Sequence, residues 1–185
     1  MIIKIGGKII KINMLSEAYY KSLYPLMIDF ELLPNSESYN YNCISHTIGI
    51  NNDISWPNKK SDTYWPVKRE LTKEAFDLFY EYHGFVKCSM DFSYDNRYTK
   101  VALFMNDNKP THACIQINNK YWESKVGSTG IIRHDLFEIE NDGYGQVVQI
   151  YKKVNNNIAP LKEANIVKKY NGNKIIKRFN DFINN

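Results

Sequence analysis

The sequence predicts an α+β fold in which N-terminal helices pack on an antiparallel sheet. Three observations carry this. Apolar residues recur at helical spacing in the first half of the chain and again at its C-terminal end. Five β-branched or aromatic runs then crowd into residues 85–153, separated by turn-forming Asn and Gly. A chain of 185 residues with 43% hydrophobic and 24% charged side chains is long and apolar enough to bury a core without disulfide staples.

The elements follow in chain order. Two runs of Ile and Lys, residues 2–5 and 8–12, flank Gly6-Gly7, a pair that takes positive φ cheaply, so residues 1–12 read as a β-hairpin. Ser16 caps a helix carrying Ala18, Tyr19 and Leu23, which Pro25 ends. Residues 34–42 form a polar loop. Asn42 at its end caps a short helix beginning Cys43-Ile44-Ser45-His46-Thr47, with Gly49 as the stop. Residues 51–68 are a loop holding Trp56-Pro57 and Tyr64-Trp65-Pro66. Leu71, Ala75, Phe76, Phe79 and Tyr82 mark an amphipathic helix over 72–83, followed by Gly84. Strands are expected at 85–88, 99–105, 112–117, 120–124 and 145–153. Asn118-Asn119 makes one hairpin turn, and Gly143 and Gly145 bracket another. Asn155-Asn156-Asn157 reads as a linker to a last helical segment with Ile175, Ile176, Phe179 and Phe182. The expected organisation is a hairpin and helix over 1–32, a core domain over 33–154 and a basic extension over 155–185.

Charge and cysteine usage exclude several function classes. The net charge of +4 lies wholly in residues 155–185, where six basic residues face two acidic ones. The rest of the chain is neutral and has no basic surplus to displace counterions from a polyanion, so nucleic acid could be met only by the tail. No run of eighteen apolar residues suggests a membrane span, and the N-terminus lacks the apolar stretch and cleavage site of a secretory signal. Cytoplasmic residence, or delivery by a route that needs no signal, is therefore expected. The three cysteines, Cys43, Cys88 and Cys114, are irregularly spaced and lack a CxxC pair, which excludes a disulfide framework and a four-cysteine zinc site. Neither a metal nor a cofactor is expected.

Cys43 is the residue best placed for chemistry. In the first turn of a helix, unpaired N–H groups and the positive dipole end favour a thiolate and could hold an oxyanion. His112, at the head of a strand, is the candidate base. A third polar group should orient the imidazole. Symmetric pairing about Asn118-Asn119 puts Lys125 and Glu123 on the face of His112, whereas a longer turn or a bulge brings Ser124 alongside; the residues leave both registers open. Each residue also has a plainer reading. Cys43 could be a core thiol beside Ile44 and Ile48, and Cys88 and Cys114 read as core thiols within strands. His46 reads as a surface or supporting histidine. His83, at a helix C-terminus, reads as a charge complementing the dipole. The Trp-Pro pairs read as a packed loop or as an aromatic wall to a cleft. Gly143-Tyr144-Gly145 is a turn and not a phosphate loop, because no Lys-Ser/Thr follows it.

Five segments in order resemble an uncharacterised bacterial domain-of-unknown-function family. They are Tyr41-Asn42-Cys43-Ile44, Tyr64-Trp65-Pro66, Lys100 to Phe104 leading into Pro110-Thr111-His112-Ala113, Trp122-Glu123-Ser124-Lys125-Val126-Gly127, and His134-Asp135-Leu136 with Tyr144-Gly145-Gln146-Val147-Val148. The resemblance spans roughly residues 40–152. That family in turn resembles the papain-like thiol hydrolases of the NlpC type, whose Cys opens a helix, whose His heads a strand and whose third polar residue lies on the next strand. The resemblance implies a papain-like fold, Cys43 as nucleophile and His112 as base. The third position falls at Ser124, where NlpC-type enzymes usually carry His, Asp, Asn or Gln; Lys125 or His134 could substitute.

Two functions from different classes follow. The first is a cysteine hydrolase or acyltransferase acting on a peptide or protein amide. In it the Cys43 N–H and the Asn42 or Asn40 side chain hold the oxyanion, Ser124 and Lys125 orient His112, and Trp56, Tyr64 and Trp65 line the substrate cleft. The second is a catalytically inactive papain-like module that binds protein through its Trp-Pro loop. A nucleic-acid-binding tail is a third and weaker possibility.

Overall fold

In the computed structural model, which describes residues 2–5, 8–11, 17–58, 62–141 and 143–155, one seven-stranded antiparallel sheet organises the chain. Ahead of it, β1 (Ile2–Ile5) and β2 (Lys8–Lys11) pair as a separate two-stranded ribbon, Ile2 opposite Lys11 and Ile5 opposite Lys8. Next come helix α1 (Glu17–Leu23), the two-residue strand β3 (Glu31–Leu32), and helices α2 (Cys43–Thr47) and α3 (Lys73–Tyr82). The remaining strands are β4 (Val86–Cys88), β5 (Tyr98–Asn106), β6 (Lys109–Gln116), β7 (Trp122–Lys125), β8 (Ile131–His134) and β9 (Gln146–Val154), with a 3-10 turn at Leu136–Ile139. The sheet order is β3-β8-β7-β6-β5-β9-β4. The fold class is therefore α+β, as the order of periodicities predicts. The Gly6-Gly7 turn, the Ser16 cap and the C-terminal helical segment lie outside the described residues.

Local chemistry explains the element ends. Thr72 caps α3 by accepting the Ala75 N–H, and Gly84 at φ +79° follows the helix. The turn between β5 and β6 is the two-residue Asp107-Asn108, with φ of 47° and 61°, the left-handed pair that suits the twist of a hairpin. It starts β6 three residues earlier than expected, at Lys109. Gly145 ends the turn before β9; a Cβ there would stand 1.9 Å from the Met105 carbonyl oxygen, so only glycine fits.

Strand alternation divides the core in two. Ala102, Phe104, Cys114, Trp122, Ile132 and Ile150 face one layer, which Tyr20, Tyr24 and Met27 complete from the segment around α1. Val101, Leu103, Ala113 and Tyr151 face the other, beneath α2 and α3. Within α3 the buried stripe is Ala75, Phe76, Phe79 and Tyr80; Leu71 and Tyr82, expected on it, are exposed. Tyr80 wins the place because it stacks on Tyr151, with centroids 4.4 Å apart, and meets the Thr47 hydroxyl at 3.0 Å. Each of the large α3 rings so buried contributes on the order of 1.5–3 kcal/mol.

Candidate functional site

Asn42 is the N-cap of α2: its Oδ1 accepts the Ser45 N–H at 3.0 Å, and its Nδ2 donates to the Ser55 carbonyl at 2.9 Å. Both ends of the side chain are occupied, which corrects the expectation that Asn42 serves an oxyanion. The cap sets Cys43 as the first helical residue. The thiol is buried and its pKa is pushed up to about 11 by that burial, against backbone N–H groups of Ala113, Ile44 and Cys43 that favour the thiolate. The expected lowering at a helix start does not appear. A helix of five residues has little dipole to offer, and desolvation outweighs it.

The Ala113 contact has a cause in the sheet. The β6–β7 ladder consists of Ile115 opposite Glu123 and Gln116 opposite Trp122, then stops. Beyond it the strands part, α2 packs against both, and the Ala113 N–H meets the Cys43 sulfur. Asn118 sets this register. Its Oδ1 accepts the N–H groups of Lys120 and Tyr121, while the Ile117 N–H donates to the Tyr121 carbonyl, so the turn is one residue longer than Asn118-Asn119. The longer turn decides between the two registers left open by the sequence. Ser124 shares a face with Cys114 and His112; Glu123 and Lys125 take the other face.

On the Ser124 face, His112 Nε2 lies 2.8 Å from Ser124 Oγ, and Ser124 Oγ lies 2.8 Å from His134 Nε2. His134 Nδ1 is 2.6 Å from the Asp135 carbonyl oxygen. All three side chains are buried. Burial lowers the pKa of His112, and that of His134 falls to about 4 for the same reason. The His112 ring stacks on Tyr144, with centroids 4.0 Å apart and planes within 10°. Tyr144 in turn packs against Tyr24 at 5.7 Å. Burial raises the pKa of both phenols, and a thiolate at Cys43 acts in the same direction on each.

Other expected site residues go elsewhere. The Lys125 ammonium donates to three carbonyls, Ser38 at 3.0 Å, Gly127 at 2.7 Å and Thr129 at 2.6 Å, and lies over the Tyr41 ring. It ties two loops together and does not orient His112, because β7 alternation sends it to the opposite face. Trp65 is buried, stacked on Phe79 at 4.2 Å, with its indole N–H on the Lys68 carbonyl; Trp56 packs on Phe76 and Tyr64 on Phe79. Trp65 is part of the core, and Trp56 and Tyr64 are half-buried against it. His46 is half-buried and pairs with Glu123 at 3.0 Å, whose other oxygen accepts from Arg133 Nε at 3.0 Å. His83 packs against Phe79, and burial lowers its pKa, contrary to the expected charged role at a helix end. Among the described residues no cluster of three or more His, Cys, Asp or Glu is placed to hold a metal ion, and no helix is long and apolar enough to cross a membrane.

The model of a family described as a domain of unknown function, DUF7689, matches residues 33–152. The chain belongs to that family. The DUF7689 domain thus holds α2, the Trp-Pro loop, α3 and all of β4 to β8, and with them Cys43, His112, Ser124 and His134. Tyr24, which covers Tyr144, comes from outside the matched residues. No curated protein and no solved structure matches the chain.

The sequence puts Cys43 and Asn42 at the start of α2 and His112 on a strand, but His112 is the fourth residue of β6 and not its head, and neither the place of His134 nor the stacking of Tyr144 can be read from the sequence. The signal for His134 was the run Ile131-Ile132-Arg133-His134 after Gly130, a four-residue strand too short for periodicity to register.

Proposed function

We propose that the DUF7689 domain of this chain is a papain-like, NlpC-type cysteine hydrolase or acyltransferase acting on peptide-like amides. Cys43 is the nucleophile, His112 the general base and Ser124 the residue that orients the imidazole. The observation that supports it most is the meeting at the parted end of β6 and β7. There the Ala113 backbone N–H bears on the Cys43 sulfur from the α2 side, while the ring of the preceding residue, His112, leaves the other face of β6 and is held by Ser124 on the neighbouring strand.

The electrostatics shape the mechanism. Burial favours the neutral form of both thiol and imidazole, so no resting ion pair is part of this reading. Proton transfer accompanies attack: the Sγ proton passes to His112 Nδ1, the nitrogen that Ser124 does not hold, as the S–C bond forms. The N–H groups of Cys43, Ile44 and Ala113, which bear on the sulfur, are the donors this reading assigns to the developing oxyanion. Nδ1 then returns the proton to the leaving nitrogen as the C–N bond breaks. Water or an acceptor amine attacks the thioester, loses its proton through His112 and restores the Cys43 thiol.

Acylation by p-nitrophenyl acetate tests this. One nitrophenolate should be released in a burst as an acetyl group appears on Cys43 by intact mass, followed by slower turnover. Cys43→Ala should abolish the burst, and His112→Ala should slow it by about 10²-fold or more, the usual contribution of a general base. Equal ester consumption by the wild type and Cys43→Ala would sink the proposal. Iodoacetamide reports the resting state: Cys43 labelling should climb with pH toward about 11, whereas fast labelling in mild acid would reveal an ion pair.

The second reading is a catalytically inactive protein-binding module of the same fold. Burial of Cys43, at 8% exposure, favours it. A folded wild type with no acetyl-Cys43 is its outcome in the same experiment.

A further inference from the structure

We propose that His134 is a positioning residue that fixes the tautomer of His112 through Ser124, leaving His112 Nδ1 unprotonated and available as the base. The assignment follows from counting donors and acceptors along one buried chain. A peptide carbonyl can only accept, so the contact of His134 Nδ1 with the Asp135 oxygen at 2.6 Å places a proton on Nδ1. In the neutral ring Nε2 is then an acceptor. The group 2.8 Å from it is the Ser124 hydroxyl, which owns a single proton and must donate it there. Ser124 Oγ now has only lone pairs to offer. His112 Nε2, 2.8 Å away, must therefore be the N–H partner, and in neutral His112 the lone pair falls on Nδ1. The neighbouring Cys114 sulfur is a weaker acceptor than an imidazole nitrogen, so the serine proton goes to His134.

The side chains of His112, Ser124 and His134 are all buried, which keeps bulk solvent from offering them an alternative partner. Low pKa values for both rings, caused by burial, keep them neutral and the polarity of the chain single-valued. A lone serine could not do this. Its hydroxyl turns freely and could donate to His112 Nε2, which would put the imidazole proton on Nδ1 and block the base. The backbone carbonyl of Asp135 is thus the fixed end, and His134 and Ser124 together stand where one amide or carboxylate would otherwise serve.

The catalytic meaning of this arrangement rests on the cysteine-hydrolase reading; the tautomer itself does not, and the two fail separately. Nitrogen-15 NMR of histidine-labelled wild type should show both rings neutral at pH 7, His134 protonated at Nδ1 and His112 at Nε2. His112 protonated at Nδ1, or His134 at Nε2, overturns the proposal without any variant. His134→Gln, whose side-chain oxygen can accept the serine proton, should keep the His112 tautomer and acylate Cys43 within about threefold of wild type. His134→Phe should let the tautomer change and slow acylation by about tenfold, part of what a general base contributes. An unchanged His112 tautomer in folded His134→Phe overturns it. The expected tautomers with no acylation of Cys43 would overturn the hydrolase reading and leave the relay standing.

Discussion

Glu123 and Ser124 are consecutive on β7; Glu123 meets one histidine and Ser124 meets two, and the two sides hold them in opposite ways. Glu123 faces the helix side, where it bonds His46 and Arg133 at the margin of solvent. Burial works to raise its pKa, yet the hydrogen bonds from His46 and Arg133 bring it below the ordinary value. Ser124 faces the other layer, where its hydrogen-bond partners are the two imidazoles, and there burial pushes His112 and His134 to the neutral form. One step along a strand therefore exchanges a charged, partly wet pair for a dry chain of neutral hydrogen bonds. In a dry layer an imidazole can be aligned without charge, because the penalty for ionising it exceeds what a hydroxyl returns.

Removing the centre of the dry chain should have the largest effect. Ser124→Ala leaves one nitrogen of each histidine unpaired inside the core, and each such group costs about 1–3 kcal/mol, so roughly 4 kcal/mol should be lost in urea unfolding. A loss below about 1 kcal/mol would show that the rings find other partners and would break the contrast. Acid comes next. The pKa of His134 falls from 6.5 to about 4 on folding, so between those values the unfolded chain binds the extra proton and stability falls as pH falls. The slope is about 1.4 kcal/mol per pH unit, or roughly 3 kcal/mol from this residue across the window, and His112 acts in the same direction. Flat stability between pH 7 and 5 would mean that the folded rings titrate as they do in the unfolded chain.

The helix-side pair should respond less, in the same direction but in a more acidic window. Glu123→Gln should cost about 1–2 kcal/mol at pH 7, the value of a charge-assisted hydrogen bond. Because the folded pKa of Glu123 is lowered, its contribution is fully present above the ordinary value of 4.5 and disappears as pH falls through the folded one. Wild type and Glu123→Gln should therefore converge in acid, and curves that stay parallel down to pH 3 would remove Glu123 from the charged side of the comparison.

Much of the molecule was legible because it depends on local chemistry. The Asn42 cap, the α3 periodicity and the long β-branched runs each announce their element within a few residues. The parts that were not legible depend on counts and partners. One extra residue in the Asn118 turn decides whether Lys125 or Ser124 faces His112, and that residue cannot be counted before the turn is seen. Strands β3 and β8 are too short to carry a period; β8 exists because β7 offers it an edge, and β3 because β8 does. The Trp-Pro loop was ambiguous because indole serves equally in a core and in a cleft, and only the stacking of Trp65 on Phe79 decides. Burial of Cys43 was hidden for a related reason: a cap motif fixes where a helix starts and says nothing of what later closes over it.

Gly145 carries no functional group, yet it governs the ring beside it. Its bare Cα lies against the Met105 carbonyl, and this closeness lets β9 come in beside β5 near their register shift between Leu103 and Phe104. Tyr144 rides on that junction as a roof tile over His112. A methyl group in place of one hydrogen would act as a wedge at the eave, prising the two strands apart and lifting the tile from the imidazole beneath.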